Sequence, residues 1–464
     1  MPAVSVAPIV PPVSTLIAVD NSSISAIIDA LENLKSSAFV NSEWLTLNNR
    51  YIHDIINVYK EDVKKPRTYH KALADYTSTS SILHCSDAWT FISRAVSSLI
   101  EGDIPSAIFF TYYSELRSLM SLFATNGMSV LNNKHIYINN NGKAIKFGNR
   151  GTHDQVLLIL EDYITHPTKT ELLLEWLKVD NNTLKDWVRA TGTLTSAYMT
   201  QDWLKKWSID VKQIEFDHDT RNQVSYRPHK LKNGLYDFSY KDDLLKIVSF
   251  WELCEPTNSN SFYLLDRHLL RLSLEAIFDN QVYRGSSSNG RRNKSSKTYK
   301  SAFKRFIIKA AKNLSSKPGP NLVEFLCREE SPKDSDIIIE ANKPAYNKAT
   351  KTYNVIPMIA RSLMLLRIST GGSEYLVKHA NIEKEDLKFW WSDYGNKYGF
   401  WEWGILPDDF KDDLWPDIAD TLNNLKAYFL ANPIQNSKNL NRLSIEDLNR
   451  FKQLNQIPLW GIGL

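Results

Sequence analysis

The sequence predicts an all-α protein, and three observations carry the prediction. Apolar residues recur at steps of three and four along most of the 464 residues, the period of a helix that buries one face. Ser, Asn, Asp, Gly and Pro bound these stretches at helix-like intervals. Strand and helix patterns do not alternate as in a βαβ fold, and no internal repeat is present. With 43% hydrophobic and 23% charged residues, and 13 Trp, 21 Tyr and 19 Phe, the chain can bury a large core. Its length accommodates about two to four domains.

Residues 1–20 read as an N-terminal arm. They are apolar, but Pro2, Pro8, Pro11 and Pro12 interrupt them and no charge precedes Asp20. A secretory signal needs a basic start and an unbroken apolar run, so a loose Pro-rich arm is expected instead. Residues 21–80 form an N-terminal helical segment. Ile24, Ile27, Ile28, Leu31 and Leu34, then Leu45, Ile52, Ile55, Ile56 and Tyr59, mark its apolar faces, with Asn21-Ser22-Ser23 as a cap. Lys64-Lys65-Pro66 ends this pattern, and Asp75 to Ser81 reads as a polar connector.

Residues 81–280 carry the main helical domain. A Ser86-capped helix with Trp89, Ile92, Val96 and Leu99 on one face runs to Glu101, and Gly102-Asp103 turns the chain into a second helix, Ile104 to Asn126, which Gly127 stops. The pair makes an antiparallel helical hairpin. His135-Ile136-Tyr137-Ile138 and Ala144-Ile145-Lys146-Phe147, joined by Asn139-Asn140-Asn141-Gly142, predict a small β-hairpin insertion. Helical patterning resumes at residues 152–164, 168–178, 183–190, 193–207 and 211–226, where Pro228 must end or kink the helix, and again at 242–254 and 261–279.

Residues 281–320 change character, with eleven Lys and Arg from Arg284 to Lys317 and no acid among them. A Gly/Ser loop followed by a basic helix from Tyr299 to Leu314 is expected, serving as a linker. The C-terminal helical domain, 321–464, includes a hydrophobic helix from Pro357 to Thr370 capped by Gly371-Gly372, and an aromatic-rich section from Phe389 to Trp415.

Composition also narrows function. A net charge of +4 excludes a polycation, so nucleic-acid affinity must come from a local patch. Three distant cysteines, Cys85, Cys254 and Cys327, argue for a reducing cytoplasm and against a disulfide framework or structural zinc. No apolar run reaches a membrane span. The expected setting is cytoplasmic, without membrane attachment.

The stretch Asp217-His218-Asp219-Thr220-Arg221-Asn222-Gln223-Val224-Ser225-Tyr226-Arg227-Pro228-His229 is the strongest site candidate. Together with the hairpin Glu101-Gly102-Asp103-Ile104-Pro105-Ser106-Ala107 running into Tyr112-Tyr113-Ser114-Glu115-Leu116-Arg117, it resembles a HEPN domain. That is a helical fold recurring in bacterial toxins and phage-defence RNases. The resemblance covers about a third of the chain and implies an all-α HEPN-like bundle that homodimerises through the motif helix. It implies metal-independent RNA cleavage without a cofactor, by an Arg, a following polar residue and a His after four to six intervening positions.

Arg221-Asn222 fits the first part of that pattern. Tyr226 stands where the shortest spacing places the His, and His229 has seven residues between it and Arg221 and lies past Pro228. Three readings follow. The Pro turn returns His229 to Arg221 and makes an RNase; or Tyr226 and Arg221 form an inactive remnant that only binds nucleotide or RNA; or Asn222 and Tyr226, four apart, hydrogen-bond at a buried turn. The resemblance assigns charge stabilisation to Arg221, orientation to Asn222, and proton transfer to His229 or Tyr226.

A second candidate is a nucleic-acid contact by Arg291, Arg292, Lys294, Lys297, Lys300, Lys304, Arg305 and Lys309, against a solvated helix face. The aromatic section reads as packing or a partner surface, because Asp408, Asp409, Asp412, Asp413 and Asp417 would repel phosphate. Asp336 to Lys343 has the order of a metal-nuclease strand but the wrong spacing, and the histidines lack i,i+4 ligand pairs, so no metal is expected. The functional expectation is an RNA-binding HEPN-like protein and endoribonuclease of toxin or anti-phage systems. The alternative is a non-catalytic subunit that holds nucleic acid or a protein partner in a defence complex.

Overall fold

The computed structural model describes residues 11–62, 69–192, 203–226, 234–257, 260–282 and 296–463. The chain is mostly helical, with small antiparallel sheets.

The apolar part of the N-terminal arm folds as helix α1 (Val13–Asn21), with Pro12 at its N-cap and Ala18 and Val19 buried. The loose arm expected through residue 20 therefore ends early. Prolines at a helix start cost no hydrogen bond, and the apolar residues after them find the sheet and a neighbouring helix to cover. Helix α2 (Ile24–Ser37) begins at Ser23, whose hydroxyl accepts the Ala26 amide, and α3 spans Ile55–Asp62.

The expected connector Asp75 to Ser81 is helical. It lies inside α4 (His70–Glu101), 32 residues long, which continues past Ser86 without a cap there. Polar residues survive in this buried stretch because they bond within the helix: Thr77 Oγ1 donates to Leu73 O at 2.8 Å and Ser80 Oγ to Tyr76 O at 2.6 Å. Ser81 Oγ reaches Thr125 Oγ1 at 2.6 Å on the next helix. Gly102, at φ 82°, closes α4, and Asp103 caps α5 (Ile104–Thr125) through the Ser106 amide. The predicted helical hairpin is thus present.

Strands β1 (Met128–Ser129), β2 (His135–Ile138) and β3 (Ala144–Phe147) form one antiparallel sheet in the order β1-β2-β3. The expected hairpin pairs His135 with Phe147 and Ile138 with Ala144. Helices α6 (Thr152–Tyr163), α7 (Pro167–Trp176), α8 (Leu184–Ala190), α9 (Val211–Tyr226), α10 (Tyr240–Leu253) and α11 (Tyr263–Ile277) follow. Then come α12 (Lys297–Asn313), α13 (Pro320–Leu326) and α14 (Asp336–Ala341). The nuclease-like segment Asp336 to Lys343 is therefore a helix turn, whose Ile337 and Ile338 are buried, and no strand presents its acids.

Helix α15 (Ile356–His379) belongs to the segment expected to form a C-terminal domain, yet it packs along α4 and α5. It is buried nearly all round, including Arg361 and Arg367, so its polar side chains must find partners inside the bundle. It also runs straight through Gly371-Gly372, which were expected to cap it. A Cβ on Gly371 would lie 3.1 Å from Trp176 Cβ, and one on Gly372 would lie 3.1 Å from Thr125 Oγ1. These glycines permit close packing rather than a stop. Helices α16 (Lys388–Tyr398), α17 (Phe410–Ala431), α18 (Ile445–Lys452) and α19 (Ile457–Gly461) complete the chain.

Candidate functional site

The site is built where α5, α6 and α9 meet. On α9, Ile214, Asp217, Thr220 and Arg221 are buried, a three- and four-residue stripe turned to the core, which leaves His218 and Asn222 at its margin. Arg221 keeps only 5% of its surface exposed. Its guanidinium lies 5.0 Å from the Tyr112 ring centre and 5.5 Å from that of Tyr113, contacts worth about 0.5–2 kcal/mol each. Arg221 Nη2 is 3.2 Å from His153 Nε2, and His153 Nδ1 is 2.7 Å from the Tyr112 hydroxyl. His153 stacks on His218 with ring centres 4.9 Å apart, and Asn222 Nδ2 is 3.2 Å from His218 Nε2.

This arrangement fixes the protons. A guanidinium only donates, so His153 Nε2 accepts and its Nδ1–H points to Tyr112. The Asn222 amide likewise donates to His218 Nε2. A second proton on His153 would face Arg221, and burial adds to that penalty. Burial first, and then Arg221, lower the His153 pKa to about 4. His218 is lowered by the same two causes, opposed by Asp219 and Asp154. Burial raises the Tyr112 phenol well above its ordinary value. At neutral pH the site therefore holds one cation and three neutral rings.

Among the described residues no carboxylate pairs with Arg221, and its Nε is buried without a hydrogen-bond partner. Leaving a buried cation uncompensated costs several kcal/mol. The neighbouring acids do not neutralise it. Asp217 is fully buried and gripped by Arg361 of α15, with Nε–Oδ2 2.8 Å and Nη2–Oδ1 2.7 Å. Glu115, also fully buried, is held well above the usual carboxylate range by burial and by the charge of Asp217, against the pull of Arg361. Both carboxyl groups face Arg361 rather than Arg221.

Of the residues singled out in the sequence, Arg221 and Asn222 lie in this cluster. Tyr226 does not: it ends α9 with 79% of its surface exposed, and five helical residues turn it away from Arg221. Asn222 bonds His218 rather than Tyr226, which removes the buried-turn reading. His229 lies outside the described residues.

His153, His218, Tyr112 and Tyr113 are the members that sequence reasoning missed as a site. The legible signal was His218 three residues before Arg221, which puts both on one helix face. Nothing in the sequence marks His153, which is 68 residues from Arg221.

The basic helix α12 forms as expected. Tyr299, Phe303 and Ile307 are buried, with Phe278 in ring contact with Tyr299 and Phe303, while Lys297, Lys300, Lys304, Arg305 and Lys309 face solvent. Lys304 pairs with Glu329 at 2.7 Å. Arg291, Arg292 and Lys294 lie outside the described residues. Among the described residues no three His, Cys, Asp or Glu side chains converge as a metal-binding group, and no helix is long and apolar enough to cross a membrane.

No family model matches the chain, and no curated protein and no solved structure matches it.

Proposed function

We propose that the Arg221 cluster binds the phosphodiester of RNA and cleaves it without a metal, in a HEPN-like protein of a bacterial toxin or anti-phage system. The observation that carries this reading is a buried guanidinium with no carboxylate partner among the described residues, facing two imidazoles that are neutral at pH 7. The charge of such a site favours an anion. A phosphate accepting from Arg221 would draw its Nη2–H away from His153. The Nε2 lone pair is then free to take the 2′-OH proton, and the anion beside it raises His153 toward a useful basicity. Arg221 and the Tyr112 hydroxyl face the charge that develops on the phosphorane, while Asn222 holds His218 in place.

The resemblance to HEPN domains supports RNA as the substrate and self-association through α9, on which Phe216 and Tyr226 are exposed. The exposed cations of α12 suit a longer nucleic-acid contact. The second reading, a subunit that holds RNA or a protein partner without cutting, is favoured by the low basicity of His153 in the unliganded site.

Purified protein incubated with mixed tRNA and mRNA in EDTA, beside Arg221→Ala, separates the two. Cleavage by the parent alone supports the nuclease. An RNA shift without cleavage, lost in Arg221→Ala, supports the holding subunit. Absence of both refutes the site.

A further inference from the structure

Beside the cluster, a surface of half-buried rings continues along α4 and α5. Tyr113, 5.5 Å from the Arg221 guanidinium on one side, meets Phe91 at 5.5 Å and Phe109 at 4.8 Å on the other. Phe110 lies 6.3 Å from Phe91 and 5.5 Å from Phe109. None of these four rings is fully buried. Four adjoining aromatic side chains partly in water, on the outer edge of a helical hairpin, exceed what packing the hairpin requires.

The rings end at a second group of cations. Arg94 lies 5.6 Å over the Phe91 ring. Arg117 stands one helical turn beyond Tyr113, and its Nη1 donates to His84 Nδ1 at 2.9 Å. Burial, and then Arg117, press the His84 pKa down to about 3, so His84 positions the guanidinium without sharing its charge. Arg94, Arg117 and Lys397 line a cavity of about 290 Å³ together with Phe91, Trp390 and Tyr394. The one carboxylate in the lining is Asp87. It stands 3.9 Å from Arg117 with its side chain 54% exposed, a pairing that neutralises little. Three cations against one acid leave the cavity positive.

We propose that this surface is the track for single-stranded RNA entering the Arg221 cluster. Bases stack on Tyr113, Phe91 and the neighbouring Phe rings, and a flanking phosphate sits among Arg94, Arg117 and Lys397. The path is continuous: Arg221 to Tyr113, Tyr113 to Phe91, Phe91 to Arg94, each step between 5.5 and 5.6 Å. Alternating cation and ring is the pattern that holds a strand with little sequence preference. A duplex would keep its bases from these rings, so the substrate class is unpaired RNA several nucleotides long. The inference rests on the Arg221 cluster acting on RNA and adds where the rest of the strand lies.

The test measures binding of fluorescein-labelled 12-nucleotide and 3-nucleotide RNAs, at several salt concentrations, by the full-length protein, by Phe91→Ala and by Arg94→Ala/Lys397→Ala. Both cations of the double variant are exposed, which spares the fold. Phe91→Ala is expected to weaken the 12-mer roughly tenfold or more while leaving the 3-mer unchanged. The double variant is expected to lower the salt slope for the 12-mer by about 0.7 for each phosphate that is no longer neutralised.

Unchanged 12-mer binding in both variants overturns the track and leaves the cluster standing. Failure of the parent to bind either RNA overturns both. A change in sedimentation in Phe91→Ala, with RNA binding intact, shows instead that the rings join two copies of the chain, and that also overturns the track.

Discussion

Replacing Arg361 by Leu tests whether the buried ion pair beneath the site holds α9 in place. Arg361, 1% exposed, donates from Nε and Nη2 to both oxygens of Asp217, and from Nη1 to Lys343 O at 2.8 Å. Without it, the carboxylate of Asp217 stays fully buried beside Glu115 with no cation. Removing one partner of such a pair costs about 3–5 kcal/mol. An unfolding entropy of about 2 cal/mol/K per residue, over 464 residues, amounts to roughly 1 kcal/mol/K, so the midpoint should fall by about 3–5 °C.

The loss must also depend on pH. With Arg361 gone, the folded-state pKa of Asp217 rises far above its unfolded value, so the variant loses stability as pH rises and the gap to the parent widens from pH 5 to pH 8. Urea unfolding at both pH values measures it. A double variant, Asp217→Leu with Arg361→Leu, should recover at least about 2 kcal/mol of the summed single losses. A loss under about 1 kcal/mol, or the same loss at both pH values, would refute the argument that Asp217 is a buried charge needing its partner.

Three further outcomes are expected. Glu115→Gln should raise the melting temperature at pH 8 and lose that advantage toward pH 4.5, because the raised folded pKa of Glu115 makes its contribution fall as pH rises; a lower melting temperature at pH 8 in scanning calorimetry would contradict the upward shift of Glu115. The His153 ring proton should titrate in NMR near pH 4 in the free protein and higher once an RNA dinucleotide is bound, and its contribution to stability, whole above about pH 6.5, should fade as pH falls through 4. Gly371→Ala should destabilise by about 1–3 kcal/mol in urea despite the better helix propensity of Ala, since the added Cβ meets Trp176 Cβ at 3.1 Å and the Arg367 guanidinium closer still.

Much of the local structure was legible because it is set by near neighbours. Ser23 capping α2, the Gly102-Asp103 turn between α4 and α5, and the β2–β3 pairing across Asn139 to Gly142 are all decided within a few residues. The misreadings came where polar or small residues are used in packing. Asp75 to Ser81 looks like a connector until their hydroxyls are seen bonding within α4 and across to α5. Gly371-Gly372 looks like a helix end until Trp176 and Thr125 are found against it.

The same division runs through the site. The sequence by itself determined that α9 is a helix, that Arg221 and Asn222 lie on it, and that His218 shares their face, because helical spacing is a property of the chain alone. Only the tertiary structure decided that His153 and Tyr112 close on Arg221, that Tyr226 turns to solvent, and that Asp217 is claimed by Arg361, 144 residues away. Among the described residues no carboxylate pairs with Arg221, because of how the helices pack, and a pKa shift arises from what stands within a few ångströms in space, which residue order does not encode.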